Sequence, residues 1–139
     1  MHASLVITDG RPHLLDEWTV VAHYKVEPFT WDPGRVSLYH PPSSLGVETV
    51  LARELWRRTF LNWSAMDWLL THPGFIPSEW EPENGGPHGG IIFAGTIAQH
   101  DWRWWCHTRV LVRQKNRWDW EFRTTWIPQR KVAFATLLK

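Results

Sequence analysis

Residues 91–127 read IIFAGTIAQHDWRWWCHTRVLVRQKNRWDWEFRTTWI, and this stretch decides the fold. From Trp118 to Trp126 the alternation is strict. Trp118, Trp120, Phe122, Thr124 and Trp126 fall on one side, and Arg117, Asp119, Glu121, Arg123 and Thr125 on the other. A period of two is the mark of a half-buried strand. The preceding segment alternates as well. Trp102, Trp104, Cys106, Thr108, Val110 and Val112 share one side; Arg103, Trp105, His107, Arg109, Leu111 and Arg113 share the other. Three antiparallel strands in a meander are expected.

A register follows if the apolar sides are to coincide. A three-residue loop at Gln114, Lys115 and Asn116, with Asn116 in the left-handed region, sets Val112 opposite Trp118, Val110 opposite Trp120 and Trp104 opposite Trp126. It also sets Arg109 opposite Glu121, with His107 beside Arg123. A two-residue turn at His100 and Asp101 pairs Ile97 with Trp104, Gly95 with Cys106 and Phe93 with Thr108. Ala94, Thr96 and Ala98 then form a small-residue floor beside Trp105, His107, Arg109, Glu121 and Arg123. A slip of one residue would mix the two faces.

Outward from this meander the chain is readable in parts. Leu5–Thr8 is a short apolar run closed by Asp9-Gly10. Residues 17–26 and 35–40 read as strands that pair with each other, joined through a tight Asp32-Pro33-Gly34 turn. Two helices are expected near 47–58 and 63–71, the second with Asn62 as N-cap and Pro73 as its stop. Trp80 is expected to plug back into the core. Residues 81–90, EPENGGPHGG, read as a mobile loop and fit no phosphate-binding pattern. Residues 132–138 are an apolar tail, either a last strand or a docked helical turn. The three tryptophans of the Trp118 side need cover, so both helices are placed there. The reading is one α+β domain over residues 1–139.

Composition narrows the function classes. At 139 residues the chain can bury one core, and a net charge of +1, from 15 basic and 14 acidic residues, creates no global field toward nucleic acid or membrane. A single cysteine, Cys106, rules out an internal disulfide and reads as a core thiol compatible with a reducing compartment. No leader-like start or membrane-length apolar run is evident, so a cytoplasmic location is expected. Twelve tryptophans in a chain this short exceed what one small core absorbs, so several should lie at a surface or interface.

The run LNWSAMDWLLTHPGFIPSEW, then IIFAGTI, then RWDWEFRTTW, resembles a group of short uncharacterised bacterial proteins. They share the form LN…LDxLLxxPxxIPxxW, FxGTI and a WxWxxxW-type strand. The matching positions include Leu61, Asn62, Asp67, Leu69, Leu70, Pro73, Ile76, Pro77, Trp80, Phe93, Gly95, Thr96, Ile97, Trp118, Trp120 and Trp126, within a likeness over about residues 36–126. The resemblance implies a shared α+β domain and brings no activity with it. This chain differs in its longer Gly/Pro loop before Ile91 and in its N-terminal segment.

No catalytic motif appears. The histidines lack ligand spacing with Cys or Asp, so no metal is expected, and no cofactor is implied. The serines sit in no nucleophile elbow, and Cys106 and His107 point to opposite sides of a strand. Asp119 and Glu121 among arginines read as a cross-strand ion ladder. The candidate ligand-binding residues are Trp105, His107, Arg109, Glu121 and Arg123, since Arg binds phosphate or carboxylate and Trp stacks on a flat ring. The leading reading is a small non-enzymatic binding protein. It would be a homo-oligomer that binds a nucleotide-like small molecule, or a module that modulates a partner protein. Single-stranded nucleic-acid binding by Trp and Arg, or an enzyme using His107, Arg109 and Glu121, are the alternatives.

Overall fold

The structure, a computed structural model, describes residues 17–26, 29–100 and 105–138, together with a two-residue strand at Val6–Ile7. The strands are β1 (Val6–Ile7), β2 (Trp18–His23), β3 (Phe29–Thr30), β4 (Val36–Tyr39), β5 (Thr59–Phe60), β6 (Ile91–His100), β7 (Cys106–Gln114), β8 (Arg117–Thr124) and β9 (Ala133–Leu137). Two α-helices, α1 (Val47–Glu54) and α2 (Trp63–Thr71), complete an α+β fold. Among the described residues, β1 pairs only with β3. The main sheet has seven strands ordered β4-β9-β6-β7-β8, with β2 added to β6 and β5 to β9. It is antiparallel except where β6 and β9 run parallel, Ile91 beside Ala133 and Ile92 beside Phe134.

The β7–β8 hairpin departs from the expected register by one residue. Its turn is two residues long, and Lys115 (φ 49°) and Asn116 (φ 65°) are both left-handed, the geometry that matches strand twist. Partners are Leu111 with Trp120, Arg109 with Phe122, Val110 with Glu121 and Arg113 with Trp118. The tryptophans of β8 therefore share a face with Arg109, Leu111 and Arg113 rather than with the valines. Arginine makes this workable, because its guanidinium lies flat on indole rings: Arg109 over Trp120 at 4.1 Å and Arg113 over Trp118 at 5.4 Å. A pattern that scores arginine only as polar assigns the faces the other way round.

β6 and β7 also differ from expectation. Phe93 faces Arg109 and Gln99 faces Cys106, with a wide bulge between Phe93 and Ala98. The turn around residue 101 and the partners placed at Trp104 lie outside the described residues. Inside the bulge, Gly95 turns its backbone away from β7. Its N–H donates to Leu61 O (2.9 Å), and its carbonyl accepts from Tyr24 N (2.7 Å). A Cβ there would lie 2.7 Å from Phe60 O and 2.8 Å from the Asn62 nitrogen, so only glycine allows this approach. The Thr108 hydroxyl, 3.0 Å from the carbonyls of both Phe93 and Thr96, closes the bulge from the β7 side. Thr96 in turn accepts the Trp63 N–H at the start of α2 (3.0 Å).

The two helices cover opposite faces of the sheet, not one. α2 packs Trp63, Met66 and Leu69 against Ile91, Phe93 and Leu111, with Trp118, Trp120 and Phe122 at the margin. α1 packs Val47, Val50 and Leu51 against Ile92, Ala94, Val110 and Phe134. Both faces are therefore buried, because the one-residue shift leaves Val110 and Val112 to be covered on the far side. The expected small-residue floor dissolves. Ala94, Thr96 and Ala98 are all fully buried, and the bulge sends Ala94 and Ala98 into different core clusters.

Several local expectations hold. Asn62 caps α2 by accepting from Ala65 N (3.1 Å), and α2 ends at Thr71, two residues before Pro73. Trp80 is buried edge-on to Trp31, with ring centroids 6.3 Å apart. The strands at 18–23 and 36–39 form, but they do not pair with each other: β2 joins β6 and β4 joins β9. The 81–90 stretch contains a 3-10 turn at Pro82–Asn84 and is tied down by Gly89 N to Lys131 O (2.7 Å). The apolar tail becomes β9, an interior strand whose Ala133 to Thr136 are all buried. No helix among the described residues is long and apolar enough to cross a membrane.

Candidate interaction surface

The five candidate ligand residues do not converge. Because β7 and β8 pair without interruption, Glu121 lies with Val110 on the α1 face, while His107 and Arg109 belong to the α2 face. Arg123 shares the Glu121 side of β8 and is ion-paired with it along the strand. The small-molecule patch and the His107/Arg109/Glu121 constellation both required one face.

Arg109 is a core residue. It is 5% exposed, held between Trp63 (4.5 Å) and Trp120 (4.1 Å), with Nη1 donating to Asp67 Oδ1 at 2.8 Å. Burial pulls its pKa down, and the Asp67 carboxylate opposes that pull. Its Nε is buried with no hydrogen-bond partner among the described residues, and the two ring faces lie against the guanidinium. The signal for this cluster was present in α2. Trp63 and Asp67 are four residues apart, so they lie on one helix face and reach the same guanidinium. His107 is half-buried against Trp18 (5.0 Å, edge-on), and Trp18 stacks on Phe122 at 4.2 Å.

Glu121 and Arg123 line a cavity of about 200 Å³ together with His88, Gly90, Arg113 and Trp118. Its cations are already matched, Arg123 by Glu121 and Arg113 by Glu81 at 3.2 Å. No group of three or more His, Cys, Asp or Glu suited to a metal occurs among the described residues. Cys106 is half-buried, and desolvation pushes its thiol pKa up, so it is a poor nucleophile at neutral pH.

Of the five, Trp105 alone is open. It is 47% exposed and meets Trp126 (56% exposed) edge-on, centroids 6.5 Å apart, next to Ile127 (41% exposed). This aromatic corner sits where β7 begins and β8 ends. Its backbone is pinned: Thr125 N donates to Cys106 O (3.0 Å), Glu48 N to Thr125 O (3.0 Å) and Gln129 N to Leu45 O (3.1 Å). Gly46, at the start of α1, approaches so closely that a Cβ would lie 3.0 Å from the carbonyls of Thr125 and Trp126. Trp126 and Ile127 could not be singled out from the strand pattern, which placed Trp126 on the buried side. The strand ends at Thr124, so alternation stops applying there.

The chain matches no protein-family model, and neither a curated protein nor a solved structure shows significant similarity to it.

Proposed function

We propose that this protein acts by binding rather than by catalysis, and that it engages another polypeptide through the Trp105–Trp126–Ile127 corner. One observation carries the reading: two half-exposed indoles stand together on a backbone fastened by hydrogen bonds to α1 and β7. Leaving paired tryptophans in water forgoes burial free energy in the isolated chain. A partner that covers them recovers it, and a fixed backbone lowers the ordering cost of association. Tryptophan is also the residue most enriched among those that dominate binding energy.

The test is site-specific photocrosslinking in cells that produce the protein. A photoreactive phenylalanine analogue placed at 105 or 126 should give one discrete adduct, and the same analogue at the exposed Val21 should not. Trp105→Ala with Trp126→Ala should abolish the adduct formed from position 127. Equal labelling at all three positions, or none, would sink the reading.

A further inference from the structure

We propose that the outer edge of β8 pairs with the same edge of a second copy about a two-fold axis at Glu121, extending the sheet across a homodimer. This surface is separate from the aromatic corner and does not depend on it.

The backbone phase comes first. β8 is the last strand of the sheet, and among the described residues no strand pairs with its outer side. Thr125 N donates to Cys106 O across the β7–β8 ladder. In an antiparallel pair, alternate residues exchange bonds with the neighbour, so the odd-numbered residues of β8 turn their N–H and C=O inward to β7. Trp118, Trp120, Phe122 and Thr124 turn theirs outward. Trp120 agrees with this phase, because its N–H is taken by a side chain, Asp119 Oδ1 at 2.8 Å, and not by β7.

Charge then selects the register. A two-fold axis perpendicular to the sheet keeps each residue on its own face, so partner numbers must sum to an even value. Only sums of 240 and 242 overlap seven residues of Arg117–Thr124. A sum of 240 sets Arg117 against Arg123 and Asp119 against Glu121, like charges throughout. A sum of 242 sets Asp119 against Arg123 twice and Trp120 against Phe122 twice, leaving Glu121 to meet its own copy at the axis. Opposite charges directly across strands stabilise a sheet, and like charges do the reverse. Two opposite pairs and one like pair, with Arg123 of each strand beside its own Glu121, therefore favour 242 over four like pairs. Aromatic pairs occur in both registers and do not decide between them. Both even registers place the even-numbered residues at hydrogen-bonding positions, as the outward phase requires, so charge alone selects between them. Asp119 has two uses: in the monomer it occupies the Trp120 N–H and blunts the edge, and in the dimer it releases that N–H to the partner strand and takes the partner's arginine.

The experiment is light scattering of the full chain across a concentration series, with charge-reversal variants. The wild type should show a monomer–dimer equilibrium. Arg123→Asp and Asp119→Arg should each weaken it about tenfold or more, as loss of two cross-strand ion pairs implies. The double variant Asp119→Arg/Arg123→Asp should restore it, because every copy then carries the exchanged pair. If Arg123 served only Glu121 in its own strand, the double variant would not recover. In a Cys106→Ser background, Glu121→Cys should form an intermolecular disulfide on mild oxidation, since a non-hydrogen-bonded pair brings its Cα atoms to about 4.5 Å. Asp119→Cys should not. A wild type that stays monomeric, a dimer indifferent to both reversals, or stronger crosslinking at 119 than at 121 would each overturn the proposal.

Discussion

Replacing Arg109 tests the central packing argument. Arg109 is 5% exposed, its guanidinium lies between Trp63 and Trp120, and its carboxylate partner among the described residues, Asp67, has a side chain 49% exposed. Arg109→Ala removes two cation–π contacts, each worth about 0.5–2 kcal/mol. It also removes a buried aliphatic stem, worth about another 1–2 kcal/mol. The freed Asp67 costs little, because water already reaches it. The sum is about 3 kcal/mol, or about 9 °C in Tm at roughly 3 °C per kcal/mol for a chain of this size. Asp67→Asn removes the other partner and leaves a buried cation without its counter-charge. It should cost about 1–2 kcal/mol in the wild type and within about 0.5 kcal/mol of nothing in an Arg109→Met background. Urea unfolding of the four proteins closes this cycle, with the Trp fluorescence midpoint read at constant m. An Arg109→Ala loss under about 1 kcal/mol, or an Asp67→Asn effect that is the same in both backgrounds, would refute the account of a cation held by rings and one carboxylate.

Three further outcomes are expected. Gly95→Ala should destabilise by about 3 kcal/mol or more, since the new methyl meets backbone atoms of residues 60–62 that cannot step aside; thermal unfolding reads this directly. Asn62→Ala should cost about 1 kcal/mol in urea unfolding by uncapping α2. Glu54 is bound by Arg57 and Arg58, whose hydrogen bonds hold its carboxyl below the usual range. A depressed folded pKa stabilises above the unfolded value and is lost as pH falls through the folded one. The stability difference between wild type and Glu54→Gln should therefore be full at neutral pH and shrink steadily below about pH 4.3, the ordinary glutamate value. A gap that does not change with pH would show that the two arginines do not favour the ionised form.

What was legible in the sequence was local. The Asn62 cap, the Pro73 stop and the left-handed Asn116 each depend on a few neighbouring residues, and each appears in the structure; the strand expected over Trp118–Trp126 forms as far as Thr124. Trp80 as a core plug belongs with them, whereas Cys106, expected as a core thiol, is only half-buried. The candidate site was less legible, because its five members were joined by a hairpin register. One residue of slip moves every side chain of a strand to the other face. That slip separates Glu121 from Arg109 and turns Arg109 from a ligand group into part of the core.

The sequence by itself determined that β6, β7 and β8 exist, that the class is α+β, and that a single cysteine and a balanced charge leave no internal disulfide and no strong field. Only the tertiary structure decided which faces meet. The Phe93–Ala98 bulge exists because Gly95 binds Leu61 and Tyr24, residues 34 and 71 positions away in the chain. β9 lies inside the sheet because β6, β4 and β5 all offer it edges, which a five-residue apolar run cannot announce. Trp126 faces water where the strand ends: Thr125 still gives its N–H to Cys106, but its carbonyl goes to Glu48 of α1. In each case the deciding partner is remote in sequence, and a pattern read along the chain does not contain it.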